Sequence, residues 1–463
     1  MKPFYLLVFL LAPLFQFAQS DLHCATDVVM RKFYQNHPGT EQQRKAQLLN
    51  SAKKRTANSA TYTIPVVFHI LHMGGPENIS DAQVKDGVNI LNRDYAKQNA
   101  DTAFIIPEFK LLADSTKIQF ALATLDPNGN CTNGIIHYYD TDTDWNDASP
   151  TIYQYTWDPT RYMNVYIVRS ITLGSGFGAA GYTYFPGTFT AGDQWDVIVV
   201  LNNYFGSIGT GNPFLSRVLT HEAGHWLGLA HVFGSTNSAG VDCTGDDFIS
   251  DTPTTQGFLS CPNASDPASY QICTPGVSEN YQNYMDYSYC VKMFTQEQAL
   301  AMQFTLQSGV VGRDNLYSTA NLMSTGVINP NTTCVPVADF KYNRSETCVG
   351  TPVTFMDASA NATATSYTWT FSGGTPSGSN AQNPVVTYNT PGVYSVTYKS
   401  GTSAGSSTPV TKTNIITVIN NTASYTASFF EGFETNPLPN TDWDVYNTSG
   451  GAFWQQSFDA AYG

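Results

Sequence analysis

Eleven residues, HEAGHWLGLAH at positions 221–231, hold three of the chain's eight histidines. Positions i and i+4 of a helix stack one turn apart on the same face, so His221 and His225 can present their imidazoles to one ion, with Glu222 beside them. A helix that simply continued would carry His231, six residues after His225, to a different face. Gly228 removes that obstacle. Glycine tolerates positive φ and commonly ends helices, so a sharp turn there lets the chain swing His231 back to the same ion. Three neutral nitrogens plus one open position make the donor set of a catalytic zinc. HExxH alone is moderately specific, whereas the full HExxHxxGxxH spacing is strongly so. Histidines merely packed in a helical core are the weaker reading.

The chemistry follows from the parts. Zinc lowers the pKa of its bound water to near 7 and polarises a scissile carbonyl. Glu222 directly follows a ligand, so it can touch that water without ligating the metal, take its proton and later pass it to the leaving amine. Protein or peptide substrates are therefore the expected partners.

The sequence around the motif reads as α+β. TIPVVFHIL is a β-branched run expected to be a buried strand. Ser80 is placed to cap a helix with Val84, Val88, Leu91 and Tyr95 on one face. KIQFALATL, RYMNVYIVRSI and DVIVVLNNYF follow as further strands. FLSRVLTHEAGHWLGLA has helical spacing, with Leu215, Val218, Leu219, Ala223, Trp226 and Leu227 as its apolar face. Residues 232–284 are irregular. FTQEQALAMQFTLQSG is expected to close the domain as a helix capped by Thr295, with Gln298 three residues on.

Only 13% of the 463 residues are charged, roughly half the usual share, which favours a loop-rich extracellular protein. The net charge is −14 and no basic stripe exists, so nucleic acid is excluded as a partner. Lys2, the apolar run Phe4 to Phe17 and the small residues Ala18 and Ser20 read as a cleaved export signal over 1–19. That run is shorter than the ~20 residues of a spanning helix, and no other stretch could cross a bilayer. The mature chain is expected to be secreted, with attachment to the cell surface left open. Residues 20–55 are polar and end in Lys53-Lys54-Arg55, the pattern of a pro-segment with a cleavage point. A solvated linker is the alternative.

His221, Glu222, His225, Gly228 and His231, followed by NYMDYS at 283–288, resemble a metzincin metallopeptidase. NYMDY together with GDDFISDTP at 245–253 resembles the pappalysin family in particular, over roughly residues 60–315. The resemblance implies a catalytic domain over 56–330 with a twisted mixed sheet, an active-site helix and an irregular lower subdomain. It implies Met285 as a methionine turn beneath the zinc and Tyr287 as a catalytic residue stabilising the tetrahedral intermediate. It further implies disulfides Cys243–Cys273 and Cys261–Cys290, and a structural calcium held by Asp247, the Ile249 carbonyl and Thr252, an oxygen set that suits this ion. The family's downstream acidic calcium ligand has no obvious match here. Four cysteines by themselves allow three pairings. One departure concerns specificity. Members that prefer arginine near the cut carry an acidic residue shortly after the methionine turn. Tyr289, Cys290 and Lys292 stand there instead, so a preference for basic side chains does not carry over.

Export permits disulfides, and the chain has eight cysteines. Cys24 lies just inside the pro-segment. A thiolate is a good zinc ligand, so Cys24 could fill the metal's open position until the segment is removed, a switch that metzincins use. The competing expectation is a disulfide from Cys24 to Cys131. Cys334 and Cys348 are placed to bridge the start of the next domain.

Beyond residue 330 the texture changes to short alternating runs separated by turns, expected to form an all-β, immunoglobulin-like sandwich over 335–420. Tyr367, Trp369, Phe371, Gly373, Asn383, Pro384, Tyr388, Gly392, Tyr394 and Val396 resemble the pattern of a PKD domain. Trp369 is expected in its core, and an exposed aromatic that contacts polymers or a surface is the alternative. Residues 421–463 read as the truncated start of a further β module. Two functions result: a secreted zinc endopeptidase made as a zymogen, or an adhesion or polymer-binding protein whose protease-like domain is secondary or inactive. The intact HExxHxxGxxH favours the first.

Overall fold

Tyr62–His72 (β1) is buried along its length apart from Thr63 and His72, as a strand covered on both faces must be. In this computed structural model the described residues are 23–42, 60–147, 149, 151–174, 177–234, 238–330 and 333–420. The proposed export signal, the Lys53-Lys54-Arg55 cluster and the segment 421–463 lie outside them. No helix among the described residues is long and apolar enough to cross a membrane.

Thr26–Asn36 forms a helix (α1). After β1, Ser80 caps Asp81–Tyr95 (α2), its side chain accepting from the Gln83 amide at 3.2 Å. Val84, Val88, Leu91 and Tyr95 are buried. Strands Ile118–Leu122 (β2), Ile135–Tyr139 (β3), Met163–Val168 (β4), Gly181–Thr183 (β5) and Val197–Leu201 (β6) follow. They make a mixed sheet of order β2-β1-β4-β6-β5, with β3 also on β1. All pair in parallel except β5, the antiparallel edge strand beside β6.

The active-site helix is Val218–Trp226 (α3), and it packs under β5 and β6. It starts later than its apolar spacing predicts. Asn212 bonds the amides of Phe214 and Leu215, and Ser216 Oγ donates to the Pro213 carbonyl. These local bonds close a separate turn that competes with helix, so Leu215 packs from a turn. The closing helix, Gln296–Gln307 (α4), carries the expected capping box of Thr295 and Gln298. Between them the irregular segment is stapled by Cys243–Cys273 and Cys261–Cys290, around a small core of Ile105, Phe109, Phe258, Tyr270, Tyr281 and Met293.

The second domain is all β. Its strands are Phe340–Tyr342 (β7), Glu346–Cys348 (β8), Pro352–Asp357 (β9), Ser366–Phe371 (β10), Val385–Tyr388 (β11), Gly392–Thr402 (β12) and Val410–Ile419 (β13). One sheet runs β7-β9-β11, the other β8-β13-β12-β10. Trp369 lies between them at 2% exposure, its indole N–H donating to the Ala381 carbonyl. It is core, and no exposed platform for a polymer.

Two cysteine expectations are corrected. Cys334 is bonded to Cys131, not to Cys348. The Cα atoms of Cys131 and Cys334 lie 5.6 Å apart, within disulfide reach. Cys348 remains a free thiol on β8, where it pairs with Ile419 of β13. With Cys131 so engaged, Cys24 is also a free, buried thiol.

Candidate metal centre

Helix α3 presents His221, Glu222 and His225, all buried. It ends where Gly228 takes φ +96°, the left-handed region that glycine enters without strain. The Gly228 amide bonds the His225 carbonyl and the Leu229 amide bonds the Gly224 carbonyl. This turn does two things for the site. It returns the chain so that His231 faces the two helical histidines, and it places the Leu229 carbonyl 2.7 Å from His225 Nδ1.

The three Nε2 atoms form a near-equilateral triangle with sides of 3.1, 3.1 and 3.2 Å. A tetrahedral zinc with ordinary Zn–N lengths sets its nitrogens about 3.3 Å apart. Each opposite nitrogen has an acceptor: His221 Nδ1 lies 2.6 Å from the Tyr284 carbonyl, His225 Nδ1 2.7 Å from the Leu229 carbonyl and His231 Nδ1 2.7 Å from Asp27 Oδ2. With the proton on Nδ1 in all three, every Nε2 lone pair points to one centre. Burial lowers the His221 pKa to about 3, keeping it neutral. The donor set fits zinc in number, type and spacing.

Cys24 Sγ joins this cluster, all four ligand atoms lying within 4.8 Å of one another. Its segment lies along the edge strand, with Cys24 bridged to Gly181 and the Ala25 amide donating to the Gly181 carbonyl. Burial, then the Glu222 carboxylate, raises the Cys24 thiol pKa. A bound zinc reverses that balance, because a coordinating thiol is deprotonated outright.

Glu222 is wholly buried, and burial pushes it up to about 8. Its Oε2 accepts from Cys24 Sγ at 3.4 Å and Thr26 Oγ1 at 3.1 Å. Its Oε1 has no partner among the described residues. Tyr287 lies against His231, ring centroids 4.8 Å apart, and its hydroxyl donates to the Cys24 carbonyl at 3.0 Å. Met285 lies under the helix. A Cβ on Gly224 would fall 2.5 Å from Met285 Sδ, so a larger residue at the second variable position of HExxH would force the Met285 side chain to move.

Asp247, Ile249 and Thr252 also meet. Asp247 Oδ1 accepts from the Ile249 amide and from Thr252 Oγ1, while buried Oδ2 has no partner among the described residues. The Ile249 carbonyl accepts from Thr252 Oγ1.

A cavity of about 550 Å³ opens beside His221 and Glu222. Tyr289 and Val291 line it, while Asp94 and Asp101 on its wall both face Arg217, which holds Asp101 through two 2.8 Å bonds. Sequence reasoning missed Thr26, Asp27 and Gly224. An acidic residue in the first turn of a helix that begins just after Cys24 was the available signal for Asp27.

Residues 146–307 match the profile of peptidase family M43, described as pregnancy-associated plasma protein-A, and residues 334–418 match a PKD domain. An extracellular metalloprotease of Arthroderma gypseum is 30% identical, the alignment covering 58% of this chain and 82% of that one. A promirolysin mutant from Tannerella forsythia is 30% identical with a TM-score of 0.55, covering 65% of this chain and 98% of that one. Mature mirolysin from the same organism, solved with a cleaved peptide, is 31% identical with a TM-score of 0.51, covering 58% and 99%.

Proposed function

The chain belongs to the M43 family of metallopeptidases, and on that premise we propose that it is a secreted zinc endopeptidase made as a latent precursor. The observation that carries this reading is the triangle of Nε2 atoms, each backed by an acceptor on Nδ1, with a buried carboxylate alongside.

His221, His225 and His231 would hold a zinc ion, which would supply Lewis acidity for activating water and polarising the scissile carbonyl. Glu222 is the general base. It takes the water's proton as the oxygen adds to the carbonyl carbon, then delivers that proton to the amine as the C–N bond breaks. Tyr287 donates to the carbonyl oxygen as charge develops there, a role supported by the hydrogen bond its hydroxyl already gives the Cys24 carbonyl. Met285 and Gly224 set the floor beneath the ligands.

Latency rests on the pro-segment. Cys24 would join the three histidines in holding the metal, and Cys24 and Thr26 occupy the Glu222 oxygen that would activate water. Cleavage near Lys53-Lys54-Arg55 removes both. Calcium at Asp247, Ile249 and Thr252 is a further proposal, supported by the buried, unpartnered Asp247 Oδ2; calorimetric titration with Ca2+ should register one site, lost in Asp247→Ala.

Casein hydrolysis by the processed chain is the direct test. A chelator should abolish it, and Glu222→Ala should retain one zinc per chain yet stay inert. Persistent hydrolysis in that variant would sink the mechanism. Cys24→Ala should give activity before processing, and continued latency would argue against ligation by Cys24.

A further inference from the structure

The three imidazoles are not backed alike. Behind His221 and His225 stand backbone carbonyls, Tyr284 and Leu229, which belong to the catalytic domain. Behind His231 stands a carboxylate, Asp27, from the removable segment. The pair is buried, Asp27 at 2% and His231 at 0% exposure. Its geometry is fixed from both sides. Asp27 sits in the first turn of α1, where the helix dipole favours a negative charge. The His231 ring is stacked on Phe233 at 4.8 Å with a 6° interplanar angle and meets Tyr287 edge-on. Among the described residues, Asp27 is the hydrogen-bond partner recorded for His231 Nδ1.

We propose that Asp27 is a positioning residue for the metal: the pro-segment strengthens zinc binding through His231 as well as occupying the open position, so the precursor holds its metal more tightly than the processed enzyme. This rests on the zinc reading above. A carboxylate behind a ligating histidine fixes its ring and strengthens the nitrogen that faces the ion, and losing such a partner typically costs 10–100-fold in metal affinity. When the segment departs, Nδ1 of His231 turns to water while the other two ligands keep their carbonyls. The structure thus assigns the segment two separable tasks, one for Cys24 and one for Asp27.

The test uses the unprocessed full chain in a Glu222→Gln background, so that it does not cut itself. Zinc transfer to a chromophoric chelator is timed, and Cys24 accessibility is read with a thiol reagent. Asp27→Ala should release zinc about 10–100-fold faster than the parent, with Cys24 still shielded, and Asp27→Asn should lie between. Release at the parent's rate with Cys24 shielded overturns the proposal. Should either substitution expose Cys24, its rate is compared with that of Cys24→Ser; faster release supports the role of Asp27, and equal release overturns it. A parent chain that carries no zinc defeats the underlying metal reading instead. Zinc loss unchanged in Cys24→Ser defeats only the thiolate ligand.

Discussion

A methyl group on residue 228 would sit 2.9 Å from Thr305 Oγ1 on α4, at a φ of +96°. Gly228→Ala is therefore expected to strain the turn, at a cost on the order of 1–3 kcal/mol, and to swing His231 away. Zinc content per chain should fall together with the melting temperature. Gly228 is legible in the sequence because a helix-ending turn has a glycine signature. Gly224 is not, because its need arises from Met285, sixty-one residues on. His69 carries no signal either: it reads as one more residue of a strand, yet it is buried and bonded to Asn164 at 2.9 Å. Burial lowers its pKa from 6.5 to about 4. The unfolded chain thus takes up this proton first as pH falls. The contribution is fully present above pH 6.5 and lost as pH falls toward 4, amounting to about 3 kcal/mol. Urea midpoints at pH 7.5 and 4.5 should differ less in His69→Gln than in the parent.

Helix α3 is also anchored through Trp226. The Trp226 indole donates to Asp196 at 2.7 Å, and Arg313 grips the same carboxylate while its guanidinium lies 3.6 Å over the Trp226 ring. Both charges are buried. Arg313→Met would leave the buried Asp196 charge with the Trp226 indole but without its cationic partner, which should cost roughly 3–5 kcal/mol, seen as a lower urea midpoint. Nothing in the sequence points to this pair, since 117 residues separate its members. Elements whose causes are local were legible: the buried run of β1, the Ser80 cap of α2 and the capping box of α4. The start of α3 was not, because apolar spacing continues through residues whose backbone amides Asn212 had already claimed.

At the level of the whole molecule, an α+β catalytic domain followed by an all-β sandwich follows from patterning. The tether between them does not, because spacing alone cannot choose among cysteine pairings. Cys131 sits in the catalytic domain and Cys334 at the start of the sandwich, supported by Asn361, whose side chain donates to the Cys131 carbonyl. A site-specific protease sequence inserted after Asn329 should be cut without separating the two pieces. A non-reducing gel should show one band and a reducing gel two. The same bond closes a loop of 203 positions, and His221, Glu222, His225, His231, Met285 and Tyr287 all lie inside it. A peptidase lives among copies of itself and is exposed to its own chemistry. One nick anywhere in that stretch opens a ring and leaves a single covalent molecule, with both shores of the wound still joined.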